Sequence, residues 1–170
     1  MSVCTARHIV LVGMMGSGKT TVGRMLAARL SRPLLDSDEI IEQREGRTVR
    51  DIFARDGEEA FRTIESEVLK ESLASPGPSV IAAAGGVVLR PENRRALKES
   101  GARVVWLRAD PAILAIRVKG GPHRPLLDDD PAGTLLRMYE QREPLYREVA
   151  DAIVTVDGRS VGDVVEAVLR

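Results

Sequence analysis

One cysteine, Cys4, stands among 170 residues, so no internal disulfide and no thiolate metal cluster can form. Close to the terminus, it reads as an inert side chain. Neither charge is in excess: 25 basic residues meet 25 acidic ones. That balance removes the electrostatic case for nucleic acid or a membrane surface as partner, while leaving room for a local basic pocket. No apolar run approaches the ~18 residues of a membrane span. Before Met14 there is one arginine and a run of only five apolar or glycine residues, too short for a signal peptide. Repeats and low-complexity tracts are missing as well. The expectation is a single domain over residues 1–170, soluble, cytoplasmic and monomeric. Its 44% apolar content suffices for a sizeable core, and 29% charged residues cover the surface.

What the chain does contain is alternation of short apolar runs with longer helical patterns. "HIVLV" (8–12), "PLLD" (33–36), "SVIAAA" (79–84), "RVVWL" (103–107) and "AIVTV" (152–156) read as strands. Val22, Leu26 and Leu30 share one helix face, as do Phe61, Ile64, Val68 and Leu69 in a later helix. Shorter helices are expected from Asp38, and after Thr48, which has Asp51 three residues on. Pro91 and Pro111 suit the first turns of helices reaching about Glu99 and Lys119. Pro131 to Ala150 reads as a helix that tolerates Pro144 or kinks there, and Ser160 with Asp163 caps the last one. Strands separated by helices, and apolar throughout, imply an α/β fold: a parallel five-stranded sheet between two helical layers. Ligands then collect at the carboxyl ends of the strands. The unusual residues do follow the apolar runs: Gly13–Lys19, Asp36–Asp38 and Gly85–Gly86.

"GMMGSGKTT" (13–21) fits G-x-x-x-x-G-K-[ST] between a strand and a helix. Backbone N–H groups of such a loop turn inward around phosphate oxygens, a conformation hostile to Cβ. Gly16, Ser17, Gly18, Lys19, Thr20 and Thr21 are therefore candidate residues for binding a nucleoside triphosphate, with Lys19 reaching the β/γ-phosphates and Thr20 offering a hydroxyl to Mg2+. A GTPase switch would carry N-K-x-D, which does not occur; "DPAG" (130–133) matches D-x-x-G only in a loop before a helix. A motor ATPase would carry an acidic strand end, whereas strand 79–84 runs into alanines and glycines. A small phosphotransferase remains, and Arg62, Arg117, Arg124 and Arg142 supply the cations that phosphoryl transfer needs around its substrates.

At "GMMGSGKTTVGRMLA", "LLDSDEIIE", "GRTVRDIF", "GEEAFRTIE", the glycine pair 85–86, "RPLL" (124–127) and "REPLYRE" (142–148), the chain resembles the shikimate kinase family over almost its whole length. The resemblance implies a three-layer α-β-α P-loop NTPase with a substrate-binding helical segment at about 37–65 and a mobile lid at about 118–130. It implies transfer of the γ-phosphoryl of ATP to the 3-hydroxyl of shikimate, with Mg2+ as cofactor, in aromatic amino acid biosynthesis. Asp38 then matches the residue that bonds the acceptor hydroxyls and orients or deprotonates the attacking one. Arg62 and Arg142 match a clamp on the acceptor carboxylate, a task suited to a planar, permanently charged guanidinium. Gly85 and Gly86 match substrate-facing backbone, and Asp36 the acid near Mg2+, with Thr20 as direct ligand.

By the same resemblance Arg124 closes over the ATP phosphates, making it catalytic with Lys19 and Asp38. Arg117 assists at the phosphates, and Arg159 in "VDGRS" borders adenine. His123 reads as an exposed loop residue. On an extended strand end Asp36 and Asp38 would point the same way, toward the phosphate loop. One departure is Ala84, where the family shows a first glycine of three; the expectation is that Ala84 sits in ordinary backbone. The rivals are a gluconate or nucleotide kinase of the same architecture, and a nucleotide-binding regulator without transfer activity. Lys19, Asp38 and Arg124 argue against the regulator, and the D-x-D and R-x-P-L-Y contexts favour shikimate.

Overall fold

A computed structural model describes residues 6–119 and 130–170. Five parallel strands, β1 (His8–Val12), β2 (Leu34–Asp36), β3 (Ser79–Ala82), β4 (Arg103–Arg108) and β5 (Ala152–Thr155), form one sheet in the order β2-β3-β1-β4-β5. Every pairing is parallel, as strands joined by helical crossovers require. β1 is central, and all five of its residues are buried. Its neighbours β3 and β4 are nearly as dry, which is why these strands are continuous apolar runs rather than alternating ones.

The helices are α1 (Lys19–Leu30), α2 (Ser37–Glu45), α3 (Val49–Asp56), α4 (Glu58–Leu73), α5 (Pro91–Glu99), α6 (Pro111–Val118), α7 (Pro131–Val149) and α8 (Val161–Leu169). α1 packs with α8, while α4, α5 and α7 pack with one another. The main core joins Leu26 of α1, Val165 of α8, Leu69 of α4, Leu97 of α5 and Tyr146 of α7 to the strands. A second, smaller core lies under the helices that follow β2: Ile41 of α2, Ile52 of α3, and Phe61 and Val68 of α4.

Local chemistry explains most boundaries. Thr48 accepts a hydrogen bond from the Asp51 backbone N–H at 3.1 Å and starts α3. Ser160 and Asp163 form a reciprocal capping box on α8. Pro91 and Pro111 open α5 and α6, where a missing N–H costs nothing. α7 runs through Pro144 without a break. Two expectations need correction. β3 stops at Ala82, two residues early, because the chain turns away to carry Ala83–Gly86 across the sheet end. α2 starts at Ser37, because the Asp36 side chain caps it, accepting from the N–H groups of Asp38 and Glu39 at 3.1 and 3.2 Å. Among the described residues, no helix is long and apolar enough to cross a membrane.

His8 has no solvent exposure, and its Nδ1 lies 2.8 Å from Ser79 Oγ. Burial pulls its pKa below the ordinary 6.5, Arg7 and Arg32 pull it the same way, and a backbone contact with Leu73 opposes them. The unfolded chain therefore takes up this proton first as pH falls. The stability it confers is complete above 6.5 and is lost as pH drops from there through the lowered folded value. Denaturant melts from pH 7.5 to 5 should show declining stability, with a shallower slope in His8→Gln.

Candidate active site

β1 ends at the centre of the sheet, and the chain leaves it through a glycine-bearing loop into α1. Gly13 sits at φ +150°, and a Cβ there would lie 2.6 Å from the Leu107 carbonyl oxygen, so the loop can pass β4 only as glycine. Lys19 Nζ folds back over this loop, donating to the Gly13 and Met14 carbonyls at 2.8 and 2.9 Å. Its charge is thereby held at the rim of the loop concavity. Thr20 Oγ1 donates to Asp36 Oδ2 at 2.6 Å. Asp36 thus ties the phosphate loop to β2 with one oxygen and caps α2 with the other.

Lys19, Thr20 and Asp36 line one cleft of about 370 Å3, together with Asp38, Gly85 and Arg117. Asp36 and Asp38 share it for a reason other than strand geometry. Asp36 is a strand end, whereas Asp38 stands in the first turn of α2, where its charge also meets the positive end of the helix dipole. Beside the loop a second hollow of about 220 Å3 is bordered by Gly16, Ser17, Gly18, Thr21, Arg117 and Arg159. Arg117 Nη1 donates to the Gly16 carbonyl at 3.2 Å, so α6 reaches the loop from the far side of the cleft.

Beyond Asp38 lies a cluster of buried charge. Arg62 is 7% exposed, and its Nη1 pairs with Glu65 Oε2 at 2.9 Å while Nη2 reaches Glu58 at 3.2 Å. Its guanidinium also stacks near Phe53 and Phe61, with 5.9 and 5.4 Å to the ring centroids. A Cβ on Gly86 would sit 2.0 Å from Arg62 Nη1, so the glycine is what lets the arginine lie flat on the backbone. Arg142 is 3% exposed, and its Nη1 would be 3.6 Å from a Cβ on Gly85. Burial pushes the Glu65 carboxyl up against the pull of Arg62 and Arg142, and the charge of Asp38 adds to the push. Tyr146 is fully buried, with its phenol pushed to about 12, chiefly by burial and against the charge of Arg142. Its hydroxyl donates to the Gly85 carbonyl.

The structure therefore brings together Gly16, Ser17, Gly18, Lys19, Thr20, Thr21, Asp36, Asp38, Gly85 and Arg117, and sets Arg62, Gly86 and Arg142 beside them. Arg159 is at the second hollow only. Arg124, His123 and Cys4 lie outside the described residues, as does most of the lid expected at about 118–130. Ala84 is buried with an ordinary φ: Ser31 is the only non-glycine residue at positive φ among those described. Two residues were missed as participants. Glu65 stood inside a quoted motif, and its spacing of three from Arg62 on a helix was the available signal. Tyr146, four residues after Arg142, carried the same kind of signal.

A phosphate loop at the end of the central strand, an acid across the cleft and arginines on a glycine pair define a P-loop kinase of small molecules. A family model described as shikimate kinase matches residues 15–170. A shikimate kinase of Symbiobacterium thermophilum is 50% identical, with 96% of this chain and 94% of that protein covered. The solved shikimate kinase of Acinetobacter baumannii, in complex with shikimate, superposes with a TM-score of 0.93 at 39% identity, covering 97% of this chain and 92% of that one. A gluconokinase of Sinorhizobium meliloti shares the fold less closely, with a TM-score of 0.64 at 25% identity and coverage of 96% and 90%. The chain belongs to the shikimate kinase family.

Gly86→Ala and Gly85→Ala should separate in effect. The first forces a Cβ onto the Arg62 guanidinium and should destabilise by about 1–3 kcal/mol. The second meets its nearest atom, the Gly13 carbonyl, at 3.3 Å and should cost less than half as much. Paired thermal melts check this.

Proposed function

We propose that this chain transfers the γ-phosphoryl group of ATP to the 3-hydroxyl of shikimate, yielding ADP and shikimate 3-phosphate. The observation that carries the reading is the single cleft in which Lys19 and Thr20 face Asp38, with Gly85 on its wall and Arg62 and Arg142 behind the glycine pair. One side is built for polyphosphate and the other for a carboxylate-bearing polyol. Segment 37–65 serves as the acceptor-binding part: its helices rest on their own small core and present Asp38 and Arg62 from two elements.

Asp38 accepts the proton of the attacking hydroxyl and orients its oxygen toward the γ-phosphorus. As that O–P bond forms, the bond from phosphorus to the bridging oxygen breaks, and ADP leaves with the electron pair. The transition state is loose, so positioning matters more than the basicity of the aspartate. Lys19 and the loop N–H groups balance charge on the transferring oxygens. Arg117 supports them from α6, and Arg159 borders the base in the second hollow. Arg124, assigned from the "RPLL" motif, belongs with the phosphates, as part of a lid at about 118–130.

Thr20 and Asp36 fit Mg2+: both offer hard oxygen atoms, already 2.6 Å apart at the phosphate loop. Among the described residues no group of three or more His, Cys, Asp or Glu forms a protein cage for a metal. That suits an ion that keeps waters and phosphate oxygens in its shell, with Thr20 a direct ligand and Asp36 acting behind it. Bound there, Mg2+ supplies charge neutralisation of the phosphates. The reading carries with it a monomeric cytoplasmic enzyme of aromatic amino acid biosynthesis.

With Mg·ATP, ADP release should require shikimate; equal turnover with gluconate, or none with shikimate, overturns the acceptor assignment. Asp38→Asn should lower kcat by roughly 10²-fold or more while leaving nucleotide affinity within about twofold. Arg124→Ala should reduce kcat more than it raises KM for shikimate, measured by steady-state kinetics.

A further inference from the structure

The acceptor side contains a buried group that the transfer step does not use. Tyr146 sits one helical turn after Arg142 on α7 and is completely enclosed, with its ring stacked on Trp106 at 5.7 Å between centroids. Its hydroxyl has two polar neighbours. It donates to the Gly85 carbonyl, and the Arg142 guanidinium, whose Nη1 also abuts Gly85, stands beside it. Guanidinium can only donate, so the phenol, whose single proton is donated to the carbonyl, offers its oxygen lone pairs to the side on which Arg142 stands.

The carbonyl it holds belongs to the peptide plane joining Gly85 to Gly86. That plane has no side chain of its own to fix it. It lies between two arginines: Arg142 abuts Gly85, and Arg62 abuts Gly86. A glycine pair is the backbone most free to rotate, so the direction of the Gly86 N–H depends on what grips the Gly85 oxygen. The grip comes from a phenol braced by a buried indole and set beside one of the two arginines. A phenol is protonated at neutral pH in any case, as donation to a carbonyl requires, and burial pushes its pKa further up.

We propose that Tyr146 is a positioning residue of the acceptor site, joining Arg142 to the Gly85–Gly86 peptide so that the carboxylate clamp and the acceptor-facing backbone are set together. It touches no reacting atom, and this inference rests on the proposed reading of the acceptor site. Its effect reaches the substrate through Arg142 and through the peptide plane. Engagement of the acceptor carboxylate by Arg142 is then felt at Tyr146, and occupation of the nucleotide side is not.

The test begins with the unaltered enzyme and shikimate; no shikimate-dependent turnover there would overturn the acceptor reading and this inference with it. Given turnover, Tyr146→Phe should raise KM for shikimate about five- to tenfold, with kcat and KM for ATP within about twofold. With the carboxamide analogue of shikimate, which lacks the charge that Arg142 holds, the ratio of mutant to parent kcat/KM should return to near one. An unchanged KM for shikimate, a loss confined to kcat, or an equal penalty with the carboxamide would each overturn the proposal. A second measurement does not depend on the variant folding. The chain has only two tyrosines, so 3-fluorotyrosine labelling gives two fluorine resonances, assigned through Tyr139→Phe. The Tyr146 resonance should shift when shikimate is added and stay in place with ATP alone. A resonance that ignores shikimate, or that shifts equally with ATP, overturns the coupling.

Discussion

Burial of the Arg62 guanidinium is the constraint around which the proposed acceptor side is arranged. A charge this dry is tolerated only with partners, and Arg62 has Glu65 and Glu58 from its own helix and two phenylalanine faces. Glu65, 1% exposed, is compensated in turn by Arg62 and Arg142. The guanidinium needs a flat floor, and Gly86 provides it. The small core beneath α2, α3 and α4 follows from the same requirement, since Phe61 belongs both to that core and to the surroundings of Arg62. Net stability is not what such an ion cluster contributes most. Its value is a fixed orientation for the cationic groups that the proposed reading sets against the acceptor carboxylate.

The phosphate side is organised differently. There the backbone does most of the work, and the side chains serve to tie strands together. The bond from Thr20 to Asp36 crosses from α1, which follows the central strand β1, to β2, which lies beyond β3 in the sheet. Asp36 also caps α2, and this sets where Asp38 stands. Arrangement of the phosphate loop and placement of Asp38 are therefore linked through one carboxylate. Two acids two residues apart do unlike jobs because one ends a strand and the other begins a helix.

Much of this was legible in the chain. Strand runs, proline-opened helices, the Thr48 and Ser160 caps and the phosphate loop all depend on neighbours in sequence, so local rules suffice. Errors fell where a distant contact overrode the local pattern. The third strand was read two residues too long because "SVIAAA" stays apolar while the chain turns toward the Arg62 and Arg142 pair. The D-x-D was read as extended because the capping bonds of Asp36 are visible only once α2 is in place. Glu65 and Tyr146 drew no notice as residues, since a glutamate in an amphipathic helix and a buried tyrosine are ordinary until their partners are known.

The sequence alone determined the α/β class and the nucleotide loop, because these rest on periodicity, on glycine and on motif spacing, while the residues proposed for the acceptor side were named through the family resemblance. The tertiary structure decided which charges face one another. It placed Arg62 of α4, Arg142 of α7 and the glycine pair after β3 within reach of one another, and enclosed Glu65 and Tyr146 behind them. No local rule contains that information, since those elements lie up to 80 residues apart and meet only when strand order and helix packing have been chosen.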